Sequence, residues 1–178
     1  VMTIHVSKPE FNLRDKLTEL DYVHVPYEKI PSGTVIQHVY NQNMGATHLT
    51  TTSTTWADLS YSVAITPHFD NSLLLIEWSA TGQQPNTATG ASAVTIYRNN
   101  TTNLGATTGS NMGMGCVGDF GGSGGVYVTA SSSFALYDEP KTRESVSYHI
   151  WGRTTSSGTA YIAHAAIVRC LSVKEIRQ

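Results

Sequence analysis

The sequence predicts an all-β protein, a jelly-roll-like β-sandwich of about eight strands preceded by an N-terminal arm with one short helix. Residues 57–66, ADLSYSVAIT, alternate apolar and polar side chains, which is the period of a half-buried strand. A turn that begins at Pro67 leads into a second apolar run at 73–80. After Gly33 the composition changes to β-branched and aromatic residues separated by turn formers, which is typical of an all-β domain with many short strands.

The domain 33–178 divides into eight predicted strands separated by polar, glycine-rich loops. The strands are expected at 34–42, 57–66, 73–80, 92–98, 125–130, 133–138, 145–153 and 159–173. This number of strands suggests a jelly roll or a related sandwich. The last strand has small or apolar residues on both faces, which suits a strand covered twice or one that faces a neighbouring subunit. Together with the low-charge surface, this strand predicts a homotrimer.

Residues 1–32 are expected to form the arm. Leu13, Leu17 and Leu20 share one face of a short amphipathic helix, which Pro26 prevents from continuing. A helix of about three turns is marginal alone and needs tertiary contacts. It either folds back on its own domain or docks on a partner chain.

Composition excludes several classes of partner. The net charge is −2 and charged residues make up 13% of the chain, against about 25% in an average soluble domain. The basic residues are scattered, so nucleic acid is not an expected partner. No run approaches the ~18 apolar residues of a membrane span, so membrane insertion is not expected.

No metal or cofactor site is expected. Cys116 and Cys170 lie far apart and outside any CxxC pair, so they are expected to be free thiols and small buried hydrophobic residues. The seven histidines form no HxH or HxxxH pair. His38 and His164 lie in apolar strands, where they are expected to be core or subunit-contact residues.

Catalytic patterns are weak, so the chain is expected not to be an enzyme. The candidates for a catalytic pair of acids are Asp119, Asp138 and Glu139, but the last two precede Pro140 in a segment that is typical of a turn. The glycine-rich stretch 113–125 lacks both a following helix and a lysine at the spacing of a phosphate loop.

A carbohydrate site is an open alternative. Flat aromatic rings beside amide side chains form shallow sugar sites, and Tyr97, Asn99 and Trp151 are the candidates for glycan binding. Other amides in nearby loops could contribute: Gln83, Gln84, Asn86, Asn100 and Asn103. Each is also an ordinary turn residue.

Two stretches resemble small virion proteins of tailed bacteriophages, especially marine and cyanobacterial phages with tail-fibre-like or structural proteins. Residues 6–40 contain an NxRxKLxELD helix and a P-x-G-x-V-I-Q strand start, and 59–80 contain a strand, a T-P turn and an S-x-L-L-I strand. The resemblance covers about a third of the chain. It implies a trimeric jelly-roll head with an N-terminal attachment segment and no enzyme activity.

The expected function is therefore that of a non-enzymatic accessory structural protein of the virion, assembled in the host cytoplasm. The absence of a long repetitive shaft favours a homotrimeric capsid decoration (cement) protein over a short fibre head. The arm would dock on a phage capsid or tail protein through its apolar side chains: Phe11, Leu13, Leu17, Leu20, Val23 and Tyr27. The alternative is a tail-fibre module that binds a host-surface glycan.

Overall fold

The computed structural model describes residues 26–85, 90–105, 113–118, 129–155 and 158–178. The chain divides into two compact units, Val1–Pro31 and Ser32–Gln178. In the first unit, the described part is a 3₁₀ turn at Tyr27–Lys29, in which the Lys29 amide donates to the Pro26 carbonyl at 2.8 Å. The predicted amphipathic helix lies outside the described residues.

The second unit is built from antiparallel strands, which confirms the all-β prediction. No helix in the described ranges has the length and apolar character to cross a membrane. The strands in the described ranges are β1 Val35–Met44, β2 Leu49–Thr51, β3 Ala57–Ile65, β4 Leu73–Pro85, β5 Ala91–Arg98, β6 Thr102–Asn103, β7 Gly115–Gly118, β8 Ala130–Asp138, β9 Val146–Thr154, β10 Ala160–Ala163 and β11 Val168–Ile176.

The strands form two sheets. In the first sheet β8 pairs with β4, β4 with β11, and β11 with β1, while β10 pairs with the end of β4 and β2 pairs with β10. In the second sheet the order is β3, β9, β5, and both β6 and β7 pair with β5 at different residues. The chain alternates between the sheets, so that consecutive long strands seldom pair with each other.

One hydrophobic core lies between the two sheets. In β9 every second residue from Val146 to Thr154 is buried, as the period of a strand with one covered face requires. The rings of Tyr61 from β3 and Trp78 from β4 meet edge to face with centroids 5.7 Å apart. The alternation predicted at 57–66 is therefore the alternation between core and outer surface.

The predicted strand at 159–173 is wrong in one respect, because it is two strands. A turn follows β10, and in it Ala166 has a positive φ of 57° and its amide donates to the Gly45 carbonyl at 2.7 Å. Neither glycine nor proline marks this turn in the sequence. Of the predicted strand 125–130, only the last two residues are described, and Ala130 begins β8.

A buried carboxylate fixes the turn between β3 and β4. Glu175 of β11 is fully buried, and its Oε1 accepts hydrogen bonds from the His68 amide at 2.7 Å and the Ser72 hydroxyl at 2.5 Å. The His68 Nδ1 lies 2.9 Å from the Glu175 Oε2. Buried charges are retained where hydrogen bonds compensate their desolvation, so this carboxylate holds the turn against the sheet.

Candidate functional site

The second sheet carries a stacked pair of aromatic rings on its outer side. Because β9 turns Val146 and every second residue after it inward, Trp151 points outward. Tyr97 of β5 lies opposite His149 of β9, so Tyr97 and Trp151 are diagonal neighbours. Their ring centroids are 4.0 Å apart with an angle of 20° between the planes.

Two asparagines in the turn after β5 hold this pair in place. Asn99 and Asn100 have φ values of 50° and 57°, a left-handed conformation that asparagine tolerates better than most residues. The Asn100 Oδ1 accepts a hydrogen bond from the Trp151 Nε1 at 3.0 Å. The Asn99 Oδ1 accepts one from the Ser147 amide at 2.8 Å. We call Tyr97, Asn99, Asn100 and Trp151 the aromatic surface.

The structure thus brings together the three residues that the sequence singled out for glycan binding. It does not bring Gln83 to the same surface, because that side chain is buried and its Nε2 donates to the Ser92 carbonyl at 2.8 Å. Asn103 serves its own hairpin, since its Oδ1 accepts from the Thr95 hydroxyl at 2.8 Å. Asn86 lies outside the described residues.

Sequence reasoning missed a second aromatic contact on the same face. The Arg153 guanidinium lies over the Trp56 ring, with Cζ 5.7 Å from the centroid. Arg153 follows Trp151 by two residues and so shares its face, which the strand period could have shown. Trp56, however, precedes β3, and only the pairing of Ala57 with Gly152 brings it near.

The arrangement suits weak recognition of a polar ligand with apolar patches. The ring faces are partly exposed, and rings of this kind offer large rigid contact area with little loss of conformational entropy. Because the oxygens of Asn99 and Asn100 already accept hydrogen bonds, their amide nitrogens are the groups left to donate to a ligand. A sugar ring presents C–H groups to an aromatic face and hydroxyls to such donors.

Asp138, one of the acids considered for catalysis, has a structural partner on each side. The Arg98 Nη1 donates to both of its carboxylate oxygens, at 2.8 and 3.0 Å, and the Tyr148 hydroxyl donates to Oδ2 at 2.8 Å. Burial, followed by the charge of Asp138, raises the pKa of Tyr148. Asp138 belongs to the first sheet and its partners to the second, so the group ties the sheets together. Asp119 lies outside the described residues.

The expectation that both cysteines are buried is wrong. Cys116 on β7 is exposed, and Cys170 on β11 is partly buried; the two thiols lie on different sheets and form no disulfide with each other. Hydrophobic burial fails for Cys116 because β7 is a short strand paired to β5 along one edge. Among the described residues, no three His, Cys, Asp or Glu side chains are placed to share a metal ion.

The two histidines expected in apolar strands are not core residues. His38 is exposed on β1, with its ring 5.6 Å from that of Tyr40. His164 lies just after β10, where its ring meets that of His48 at 4.5 Å. Burial, and then the charge of His48, lowers the pKa of His164.

One of the six predicted docking residues lies in the described part of the chain. Tyr27 lies in the 3₁₀ turn, where 40% of its surface is exposed. The other five lie outside the described residues: Phe11, Leu13, Leu17, Leu20 and Val23.

We compared the chain with models of protein families, with curated proteins and with solved structures. No family model matches the chain. No curated protein matches it. Among solved structures, it is similar to the tripod (BppUct-A-L) from the baseplate of bacteriophage Tuc2009, with 12% identity, a TM-score of 0.36, and coverage of 100% of this chain and 99% of that one. A likeness at this level assigns neither a fold family nor a function.

Proposed function

We propose that this chain is a non-enzymatic accessory structural protein of a tailed-phage particle, with a jelly-roll body that assembles as a homotrimer. The strand order supports the jelly-roll body of this proposal: β8, β4, β11 and β1 in one sheet, and β3, β9, β5 and β7 in the other. These eight strands alternate between the two sheets along the chain, and this order is that of the jelly-roll path. The phage resemblance of residues 6–40 and 59–80 supports the virion setting.

Within the particle, the chain acts as a capsid decoration (cement) protein or as a short fibre head, anchored by residues 1–32. The arm binds a capsid or tail protein and buries its apolar side chains there: Phe11, Leu13, Leu17, Leu20, Val23 and Tyr27. Removal of the residues before Gly33 should leave a folded homotrimer that no longer joins the particle. Retained incorporation of the shortened chain would contradict this role.

A matched pair of variants separates docking from folding. Leu17→Lys places a charge on the predicted apolar face of the helix, and Thr18→Lys places the same charge on a different face. Leu17→Lys should abolish incorporation while Thr18→Lys preserves it. Equal incorporation of both variants would overturn the assignment of that face.

Sedimentation tests the homotrimer. Because one chain has a mass of 19.3 kDa, the purified protein should sediment with about three times that mass at micromolar concentration. A species of 19.3 kDa at the same concentration would contradict the proposal.

A second candidate function is binding of a host-surface glycan, and the stacked Tyr97–Trp151 pair favours it. A shallow site gives weak affinity for one sugar, which three copies in a trimer would strengthen through avidity. On a glycan array the protein should therefore bind a subset of saccharides.

Two aromatic variants test this candidate. Trp151→Ala should lose tenfold or more of the array signal, because it removes both the stacked ring and the hydrogen bond to Asn100. Phe69→Ala removes a partly exposed ring in the turn between β3 and β4, outside the aromatic surface, and should bind as the unchanged protein does. Equal loss in both variants, or no binding by the unchanged protein, would contradict it.

A further inference from the structure

The exposed large apolar side chains of the second unit are confined to one sheet. Among the described residues, they lie on β1, β8 and β11 of the first sheet: Val35, Tyr40, Met44, Tyr137 and Val168. Tyr40, Met44 and Tyr137 are each more than 60% exposed. The outward side chains of β3, β5 and β9 include no residue of this kind in the described ranges. The two outer faces of the unit are therefore chemically different.

The strand register places two of these side chains, Tyr40 and Tyr137, on opposite sides of the centre of this sheet. Tyr40 lies beside Ser172, which lies beside Glu77, which in turn lies beside Ala135. In the next outward row Tyr137 lies beside Leu75. We call this surface the tyrosine face: Tyr40, Leu75, Glu77, Ala135, Tyr137, Ser172 and Lys174.

A shallow depression lies at the centre of the tyrosine face. Its volume is about 280 Å³, and it is lined by two aromatic residues, Trp78 and Phe134, together with small or polar ones: Glu77, Ser79, Ser133, Ala135, Cys170 and Ser172. Large rings stand on both sides, because Tyr40 belongs to β1 at one edge of the sheet and Tyr137 to β8 at the other. A depression between two exposed rings is complementary in shape to a protein surface with protruding side chains.

The charges of the tyrosine face neutralise each other. The Lys174 Nζ lies 2.6 Å from the Glu77 Oε2, and both side chains are about one-third exposed. The Ser172 hydroxyl donates to the same oxygen at 3.4 Å. An identical face would therefore meet no net charge on this one, whereas a strongly charged partner would find no complement.

We propose that the tyrosine face is the contact between copies of this chain. Its four strands, about 4.8 Å apart, and its nine rows of residues, about 3.3 Å apart, give a projected area of about 570 Å². Three copies that meet around a threefold axis through this face, each sharing it with two neighbours, bury up to about 1,700 Å² in total, above the ~1,200 Å² at which stable interfaces begin. The aromatic surface, on the opposite sheet, then remains open to a ligand.

The two native cysteines report on this contact without any substitution. Cys170 lines the depression, while Cys116 is exposed on the other sheet. A thiol reagent should modify Cys170 at least tenfold more slowly in the oligomer than in a monomeric variant, and should modify Cys116 at the same rate in both.

Ala135→Lys supplies that monomer, and Ala64→Lys is its control. Both alanines are exposed and lie within a strand, the first on the tyrosine face and the second near the end of β3 in the other sheet. If the tyrosine face is the contact, each copy of Ala135→Lys brings the same positive charge to it, and the like charges repel. The dissociation constant of the oligomer should therefore rise at least 100-fold for Ala135→Lys and stay unchanged for Ala64→Lys. Circular dichroism and thermal unfolding verify that both variants fold.

The inference rests on the proposed homo-oligomer, and the outcomes separate the two. An oligomer with a protected Cys170 that Ala135→Lys dissociates supports the contact. An oligomer whose Cys170 reacts as fast as in the monomer overturns the face and leaves the homotrimer standing. A protein that stays monomeric at all concentrations overturns both the homotrimer and this contact. If the thiol of Cys170 in such a monomer is protected only in the phage particle, the tyrosine face binds a coat protein and not a second copy.

Discussion

Asp138→Ala should lower the free energy of unfolding by about 3 kcal/mol, because it breaks the one described ion pair that joins the two sheets through a buried carboxylate. The Asp138 side chain is 9% exposed and accepts three hydrogen bonds, two from Arg98 and one from Tyr148. Removal of one partner from a buried pair costs about 3–5 kcal/mol. The lower end applies here because the Arg98 side chain is 26% exposed, so water can solvate part of its charge.

Two milder substitutions grade the effect. Tyr148→Phe removes a single hydrogen bond and should cost about 1 kcal/mol. Asp138→Asn keeps the shape but loses the charge, and should fall between the two at about 2 kcal/mol. Urea unfolding followed by tryptophan fluorescence measures all three, because Trp78 is buried in the core.

A catalytic Asp138 would behave differently. Asp138→Asn would then abolish an activity while stability stayed within about 0.5 kcal/mol of the unchanged protein. A cost below about 1 kcal/mol for Asp138→Ala would refute the structural role. So would an equal cost for Asp138→Ala and Tyr148→Phe.

Three further predictions concern pH and core packing. Burial raises the pKa of Tyr61 from 10.0 to about 12, so this side chain ionises at lower pH in the unfolded chain than in the folded one. The free energy of unfolding should therefore fall as the pH rises from about 10 to about 12. Tyr61→Phe should make this fall smaller in urea unfolding, and an unchanged dependence on pH would contradict the prediction. Burial, and then the charge of His48, lowers the pKa of His164, so the free energy of unfolding should fall as the pH drops below 6.5. His164→Gln should reduce this fall. A free energy of unfolding that stays constant down to a pH of about 5 would contradict the prediction. Gly152→Ala should cost about 1–3 kcal/mol in thermal unfolding, because the new Cβ would lie 2.9 Å from the Ile162 Cγ1; an unchanged midpoint would show that the sheets can separate to admit it.

The long strands could be predicted from the sequence because each covers the core with one face. The structure places β3 at Ala57–Ile65 and β9 at Val146–Thr154, within about one residue of the predicted ranges. The short strands could not be predicted. The three residues of Leu49–Thr51 and the two of Thr102–Asn103 are too few to show a period, and they lie in loops whose composition is typical of turns.

Contacts between distant residues were also beyond the sequence. Glu175 lies in a charged stretch near the end of the chain that is typical of a solvated surface, yet it is fully buried. Its hydrogen-bond donors at His68 and Ser72 are more than 100 positions away. Arg169 is similar, because its guanidinium is held by Asn43 through a bond of 3.0 Å.

In the candidate site, too, the sequence predicted some features, and others are defined only by the fold. The sequence singled out Tyr97 and Trp151 as candidates for glycan binding, but their stacking depends on a register that only the folded sheet defines. Their role in glycan binding stays a prediction.

Immunogold electron microscopy of purified phage particles tests the proposed virion role most directly. With antibodies against residues 33–178, gold should mark a fixed position on the capsid or tail of most particles. Particles without gold, together with all of the protein in the particle-free lysate, would contradict it.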